Sequence, residues 1–167
     1  MPNLKKAFSK IYDQYIEKIY RFIFLKVNSK EIAEDLTAET FLKCWEAFKE
    51  KEIENPQAFL YQIARNLIVD HYRQKEKLQT VSLENNPLSD PRQDLQETSH
   101  LNLEMERVRT ALSNLKDEYQ DVLIWYYLEG IPVRKIAKML DKTESATRVL
   151  IHRALNSLRE ELKIQKV

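Results

Sequence analysis

Glycine occurs once in this 167-residue chain, at Gly130, and that scarcity removes most folds from consideration. Two-residue hairpins and phosphate-cradling loops need residues that take up positive φ without steric cost. With one glycine and five prolines, helices joined by short polar links are the natural outcome. The expected fold class is all-α. Hydrophobic residues at 43% and charged residues at 32% suit a folded chain and not a disordered one. The length suits one or two domains, each with a modest core.

Hydrophobic spacing divides the chain. Leu4, Phe8, Ile11, Tyr15, Ile19 and Phe22 recur at helical intervals, which predicts a helix from Leu4 to Val27. Asn28, with Glu31 three residues on, has capping-box spacing for a second helix reaching Glu50. Its predicted inner face holds Ile32, Leu36, Phe41, Cys44, Trp45 and Phe48. Asn55-Pro56 interrupts the pattern, and Pro56 suits the first position of a third helix running to about Lys77. Leu60, Ile63, Ala64, Leu67 and His71 form the inner stripe of that helix. Three such amphipathic helices can close a small core, so residues 1–77 read as one domain.

Periodicity disappears from about residue 78 to 100, where Asn85-Asn86-Pro87 and Ser89-Asp90-Pro91 predict a flexible linker. It resumes at 101 and continues to 167, the second domain. Leu103, Val108, Ala111, Leu112 and Leu115 predict one helix. Val122, Leu123, Trp125, Tyr126 and Leu128 predict another, which Gly130 can terminate. Val133 to Leu140, a turn at Asp141-Lys142-Thr143, and a longer helix to about Leu162 together match a helix-turn-helix. Ala146, Leu150 (or Val149), Ala154, Leu155 and Leu158 are the candidates to pack inward from that last helix.

The formal charge of +1 hides a pattern. Residues 1–75 carry thirteen Lys/Arg against eleven Asp/Glu, residues 76–105 two against six, and residues 106–167 twelve against nine. Two mildly basic blocks flank an acidic connector, which permits nucleic-acid binding at both ends without establishing it. Cys44 is the only cysteine and reads as a small buried hydrophobe. The first ten residues hold no apolar stretch of signal-peptide length, and no run of eighteen apolar residues occurs. The expectation is a cytoplasmic location without membrane insertion.

Three constellations suggest binding surfaces. Asp35, Glu39, Leu42 and Glu46 share one helical face, which fits either a solvated acidic surface or a docking site for a basic partner helix. On the third helix, Arg65, Asn66 and Arg73, with Tyr61 and Tyr72, combine phosphate-neutralising charge, an amide able to read a base edge, and rings able to stack on unpaired bases. Taken alone, that segment fits a mixed-charge surface better. The final helix offers Arg148, Val149, His152, Arg153 and Asn156 where one face can enter a major groove.

The segments that carry these surfaces resemble one family in order. Ala33 to Trp45 (AEDLTAETFLKCW) resembles the polymerase-docking region of extracytoplasmic-function sigma factors, members of the sigma-70 family. Phe59 to Arg73 (FLYQIARNLIVDHYR) resembles their promoter-melting region. Tyr126 to Leu140 (YYLEGIPVRKIAKML) with Ala146 to Ala154 (ATRVLIHRA) is similar to their C-terminal helix-turn-helix. The resemblance implies a region 2 bundle in residues 1–77 and a region 4 helix-turn-helix in 101–167. It implies core RNA polymerase as partner, through the β′ clamp helices and the β subunit, with Asp35, Glu39, Leu42 and Glu46 on the docking face. It implies promoter DNA as the other partner. Tyr61, Arg65, Asn66, Arg73 and the Lys49–Asn55 loop would serve the melted −10 element, with Asn66 lining a pocket for a flipped base. Arg148, Val149, His152 and Arg153 would read the −35 duplex. An anti-sigma partner is also compatible with it.

The chain departs from the family pattern at Ala38, where glutamine is frequent, and at Phe59, where tryptophan is common. Leu150 and Leu155 stand where basic residues are frequent. Two other readings compete: a sigma-like decoy that binds an anti-sigma protein, and an ordinary helix-turn-helix regulator. The basic residues of the third helix argue against the first and the acidic stripe against the second. No cofactor, metal or enzymatic activity is expected. His71, His100 and His152 lie far apart with no carboxylate or cysteine cluster at ligand spacing, and no nucleophile motif occurs.

Overall fold

A computed structural model describes residues 3–81 and 100–165. Among them there is no strand, as the scarcity of glycine predicts. The chain forms two compact helical units. In the first, α1 (Leu4–Val27), α2 (Lys30–Glu50) and α3 (Pro56–Val81) pack against one another in all three pairings. In the second, α4 (His100–Ser113), α5 (Asp117–Leu123) and α6 (Val133–Leu140) gather around α7 (Glu144–Gln165). Most of the expected linker, residues 82–99, lies outside the described residues.

The helices stop where the backbone can turn and its orphan groups find partners. Asn28 does not open α2 in a capping box. It adopts φ 55° and closes α1, donating its N–H to the Phe24 carbonyl at 2.8 Å. Asparagine tolerates this left-handed position better than most residues. Ser29 caps α2 instead, its Oγ accepting from the Ile32 amide at 3.3 Å. Asn55 caps α3 by accepting from the Ala58 amide at 3.1 Å, with Pro56 as the first helical residue. That helix continues four residues past the expected end at Lys77.

The first core is densest where the helices converge. Ile19, Phe22 and Ile23 of α1 meet Ala33, Phe41 and Cys44 of α2 and Leu60, Tyr61, Ala64 and Ile68 of α3, all buried. Burying each large apolar side chain contributes about 1.5–3 kcal/mol. The predicted inner face of α2 is rotated: Ala33, Thr37, Thr40, Phe41 and Cys44 are buried, while Ile32, Leu36, Trp45 and Phe48 are half-buried. Two threonines fit there because their hydroxyls donate to their own helix, Thr37 to Ala33 O at 2.6 Å and Thr40 to Leu36 O at 2.7 Å. Each polar atom is thereby satisfied without a partner from elsewhere.

Towards the start of α1 the packing becomes aromatic. Phe8 lies 5.1 Å from Trp45 and 5.8 Å from Phe48, and Tyr12 meets Phe41 edge-on at 5.0 Å. At the other end, the Tyr72 hydroxyl of α3 donates to the Lys26 carbonyl, tying the last turn of α1 to α3. His71 is half-buried; burial, and then the nearby Lys75 charge, hold its pKa below the ordinary imidazole range.

In the second unit α5 runs into a π-helical turn, Ile124–Leu128, where the Glu129 amide reaches back to the Ile124 carbonyl at 3.0 Å. The widened turn keeps Trp125 fully buried while Tyr126, Tyr127 and Leu128 are exposed. Gly130 follows with φ +66°, the left-handed position at which a side chain is disfavoured. The buried Gln120 amide donates to the Leu115 carbonyl at 2.8 Å, closing the corner between α4 and α5.

Cys44 is fully buried, and burial pushes its thiol up to about 11 from 9.0. The unfolded chain therefore releases this proton first as pH rises. The contribution to stability is complete below about pH 9 and is lost between about 9 and 11. We expect the native thiol to resist a disulfide-exchange reagent at neutral pH and to react fully once urea unfolds the chain. Rapid labelling of the folded protein would contradict the packing described.

Candidate functional site

Three exposed faces stand on this frame, each opposite a buried stripe. On α2 the inward packing of Ala33, Thr37, Thr40 and Cys44 leaves Asp35, Glu39, Leu42 and Glu46 exposed along one line. Leu42 is 56% exposed, an apolar side chain set among three carboxylates. Two grooves between α1 and α2 flank this line. One, of about 530 Å³, is lined by Tyr12, Ile16, Tyr20, Phe24 and Ala38, with Glu17, Arg21 and Glu34 contributing charge. The other, of about 390 Å³, is lined by Phe8, Tyr12, Phe41, Leu42 and Trp45. The acidic line thus borders an apolar trough that only the pairing of α1 with α2 creates.

On α3 the structure separates the predicted residues. Asn66 and Arg73 are exposed, together with Gln62, Val69 and Asp70, and Arg65 is half-buried. Tyr61 is elsewhere. It is 1% exposed, with its ring edge-on to Phe22 at 5.2 Å. The expectation that Tyr61 stacks on a base is therefore corrected: its ring is part of the core, one position away from the outward line. Tyr72 remains partly exposed, but its hydroxyl is engaged by α1. The loop before α3 brings Lys51 over the face of Phe59 at 5.5 Å, a cation–π contact at the helix start. Glu52 and Glu54 in the same loop are exposed.

The third face is built by the corner between α6 and α7. Asp141 takes φ 54°, and the Lys142 amide reaches back to the Ala137 carbonyl at 2.9 Å. Thr143 then caps α7, its Oγ1 accepting from the Ala146 amide at 3.1 Å. Lys142 of this corner is ion-paired with Glu118 of α5. Thr147, Leu150, Ile151 and Ala154 pack inward. Ala146, expected to face the core, is exposed, because the inward register begins one residue later at Thr147. Thr147 satisfies its hydroxyl by donating to Thr143 O at 2.8 Å. Arg148, Val149, His152, Arg153 and Asn156 are exposed on the opposite side.

The same register decides between Leu150 and Val149. Leu150 is 8% exposed and Val149 48%, so Leu150 is the core residue. Sequence reading also passed over Ile151 and the two grooves. The spacing Thr147–Leu150–Ile151–Ala154 would have located the first, had threonine been allowed an inward position.

Comparisons with known proteins agree on both units. Residues 11–78 match the family model for Sigma-70 region 2, and residues 105–158 match that for Sigma-70, region 4. The chain is 30% identical over 155 residues to the extracytoplasmic-function RNA polymerase sigma factor BldN of Streptomyces coelicolor, covering 91% of this chain and 59% of that protein. It is 27% identical over 150 residues to the sigma factor SigM of Bacillus subtilis, covering 89% and 91%. Among solved structures, the sigma factor RpoE in complex with the anti-sigma factor NepR from Bartonella quintana has the same fold, with a TM-score of 0.72 at 22% identity, over 95% of this chain and 98% of that one. CnrH in complex with the cytosolic domain of CnrY gives 0.71 at 20%, over 98% and 91%.

The register of α7 predicts an asymmetry between neighbours. Leu150→Lys buries an unpaired ammonium and is expected to cost about 3–5 kcal/mol. Val149→Lys lies outside the core and is expected to stay within about 0.5 kcal/mol of the parent. Urea unfolding of both variants checks this, and equal effects would contradict the register.

Proposed function

This chain belongs to the sigma-70 family, as a sigma factor of the extracytoplasmic-function type, and we propose that it directs core RNA polymerase to promoters through the three exposed faces. The observation that carries this reading is their order. An acidic docking line on α2, an amide-bearing line on α3 and a helix-turn-helix follow one another across the two matched regions. The role is one of recruitment and recognition, carried out in the cytoplasm, with the polymerase supplying the chemistry.

The α2 line is the docking surface for core polymerase. Asp35, Glu39 and Glu46 offer carboxylates to a basic helix, and Leu42 with the adjoining trough offers apolar area. Charge complementarity of this kind speeds encounter and fixes register, while apolar contact resists dissociation. The α3 line and the loop before it hold unpaired bases of the −10 element. Asn66 supplies the hydrogen-bonding edge, and Arg65 and Arg73 supply phosphate attraction. Glu52 and Glu54 repel phosphates, so the loop engages DNA through bases more than through the backbone. The α7 face reads the −35 element as duplex, where a helix fits the major groove. Two modest sites joined in one chain gain apparent affinity through effective concentration.

A second reading adds a regulator. Among solved structures of this fold, RpoE is in complex with the anti-sigma factor NepR and CnrH with the cytosolic domain of CnrY, and the apolar trough beside the α2 line offers a comparable partner a seat.

Two measurements test the reading. Reversing Asp35 and Glu39 to lysine is expected to weaken binding to core polymerase while leaving the helical circular-dichroism spectrum unchanged. Undiminished affinity in a core-binding titration would count against the docking assignment. Asn66→Ala is expected to impair promoter opening more than closed-duplex binding, at a cost of about 1–3 kcal/mol. Permanganate footprinting of the reconstituted holoenzyme reads this directly, and equal opening by variant and parent would remove Asn66 from the site.

A further inference from the structure

The outward face of α7 is not uniformly basic. Glu144, Arg148, His152 and Asn156 recur every four residues along one exposed line. They are joined in pairs: the Glu144 carboxylate lies 3.8 Å from the Arg148 guanidinium, and the Asn156 amide lies 3.3 Å from His152 Nε2. Val149 and Arg153 stand on the neighbouring line. From spacing alone, either Arg148 or Arg153 could meet a base, leaving the other for a phosphate. The carboxylate distinguishes them.

A phosphate-contacting arginine is poorly served by a glutamate at its side, because the same carboxylate repels the DNA backbone. A base-reading arginine gains from it. Only one fork of the guanidinium can address guanine O6 and N7, and a carboxylate on another edge holds the group in that orientation. An exposed pair of this kind does almost nothing for the stability of the free protein. Once the groove excludes water around it, the attraction strengthens.

We propose that Glu144 is a specificity-determining residue for duplex DNA: it orients Arg148 towards guanine, and its own carboxylate accepts from the amino group of a nearby cytosine. Arg153 contacts a phosphate. The two residues of the pair are about 6 Å apart along the helix axis, which is about two base-pair steps. The preference they create therefore falls on base pairs at most about two steps apart. This inference rests on the reading of α7 as a duplex-reading helix.

A competing role for Glu144 is generic, since an acid in the first turn of a helix complements its dipole. The test separates the two. Holoenzyme reconstituted from the full chain and core polymerase is titrated with promoter duplexes randomised over the upstream element, at two salt concentrations. Glu144→Ala is expected to reduce discrimination about tenfold at one or two neighbouring base pairs, while binding to other sequences is unchanged or tighter. Arg148→Ala is expected to lose the same preference, with no further loss when the substitutions are combined. Arg153→Ala is expected to weaken all sequences alike and to lower the salt slope by about one. Glu144→Gln, which retains an acceptor at the helix start, is measured beside them with thermal unfolding of every variant. Uniform weakening by Glu144→Ala that follows a loss of stability would overturn the proposal, as would an unchanged base preference. A parent holoenzyme with no preference at any upstream position would instead sink the duplex-reading assignment of α7, and the inference with it.

Discussion

Thr147, Leu150, Ile151 and Ala154 pack inward along α7, and that register determines what the helix can present to a partner. Successive side chains on an α-helix are separated by about 100°, so anchoring one stripe fixes the direction of every other. With these four in the core, Glu144, Arg148, His152 and Asn156 must share an outward line. Rotation by a single residue would bury Arg148 and His152 and expose Thr147 and Leu150. The same constraint operates on α2, where Ala33, Thr37, Thr40 and Cys44 face inward and hold three carboxylates outward. The exposed faces of this protein are the complements of its cores.

Threonine makes these registers possible. Thr37, Thr40 and Thr147 sit in buried positions with their hydroxyls donating to carbonyls of the preceding turn. A buried hydroxyl without a partner would be costly, whereas one that bonds its own helix is satisfied locally. These side chains also occupy little volume, which lets neighbouring helices approach. Between α2 and α1 runs the trough, lined by rings from both helices. An acidic line beside an apolar trough is a more discriminating surface than either alone, because charge orients the partner and apolar area retains it.

Corners complete the arrangement, and the chain makes them with little glycine. Asn28 and Asp141 take left-handed backbone conformations with side chains that tolerate them, and Gly130 takes the third. Ser29, Asn55 and Thr143 then cap the helices that follow. The corner at Asp141 is held further by the pairing of Lys142 with Glu118. A helix-turn-helix can present side chains to a groove only if such a corner is firm, since a shift of about one residue misplaces every contact.

The amino-acid sequence by itself determined the all-α class, because one glycine and sustained helical periodicity leave little else. It also located the helices to within a few residues and grouped Asp35, Glu39, Leu42 and Glu46 on one exposed line, since spacing and polarity are local properties. Tertiary structure decided what lies beneath those lines. Tyr61 and Asn66 belong to one helix segment, yet only the contact with Phe22 shows that the ring is core while the amide is exposed. The rotated inner face of α2 and the α1–α2 trough are equally invisible in a linear reading. Each depends on which neighbouring helix comes close. A hydrophobicity pattern records how apolar a side chain is, but not what other helices bring against it.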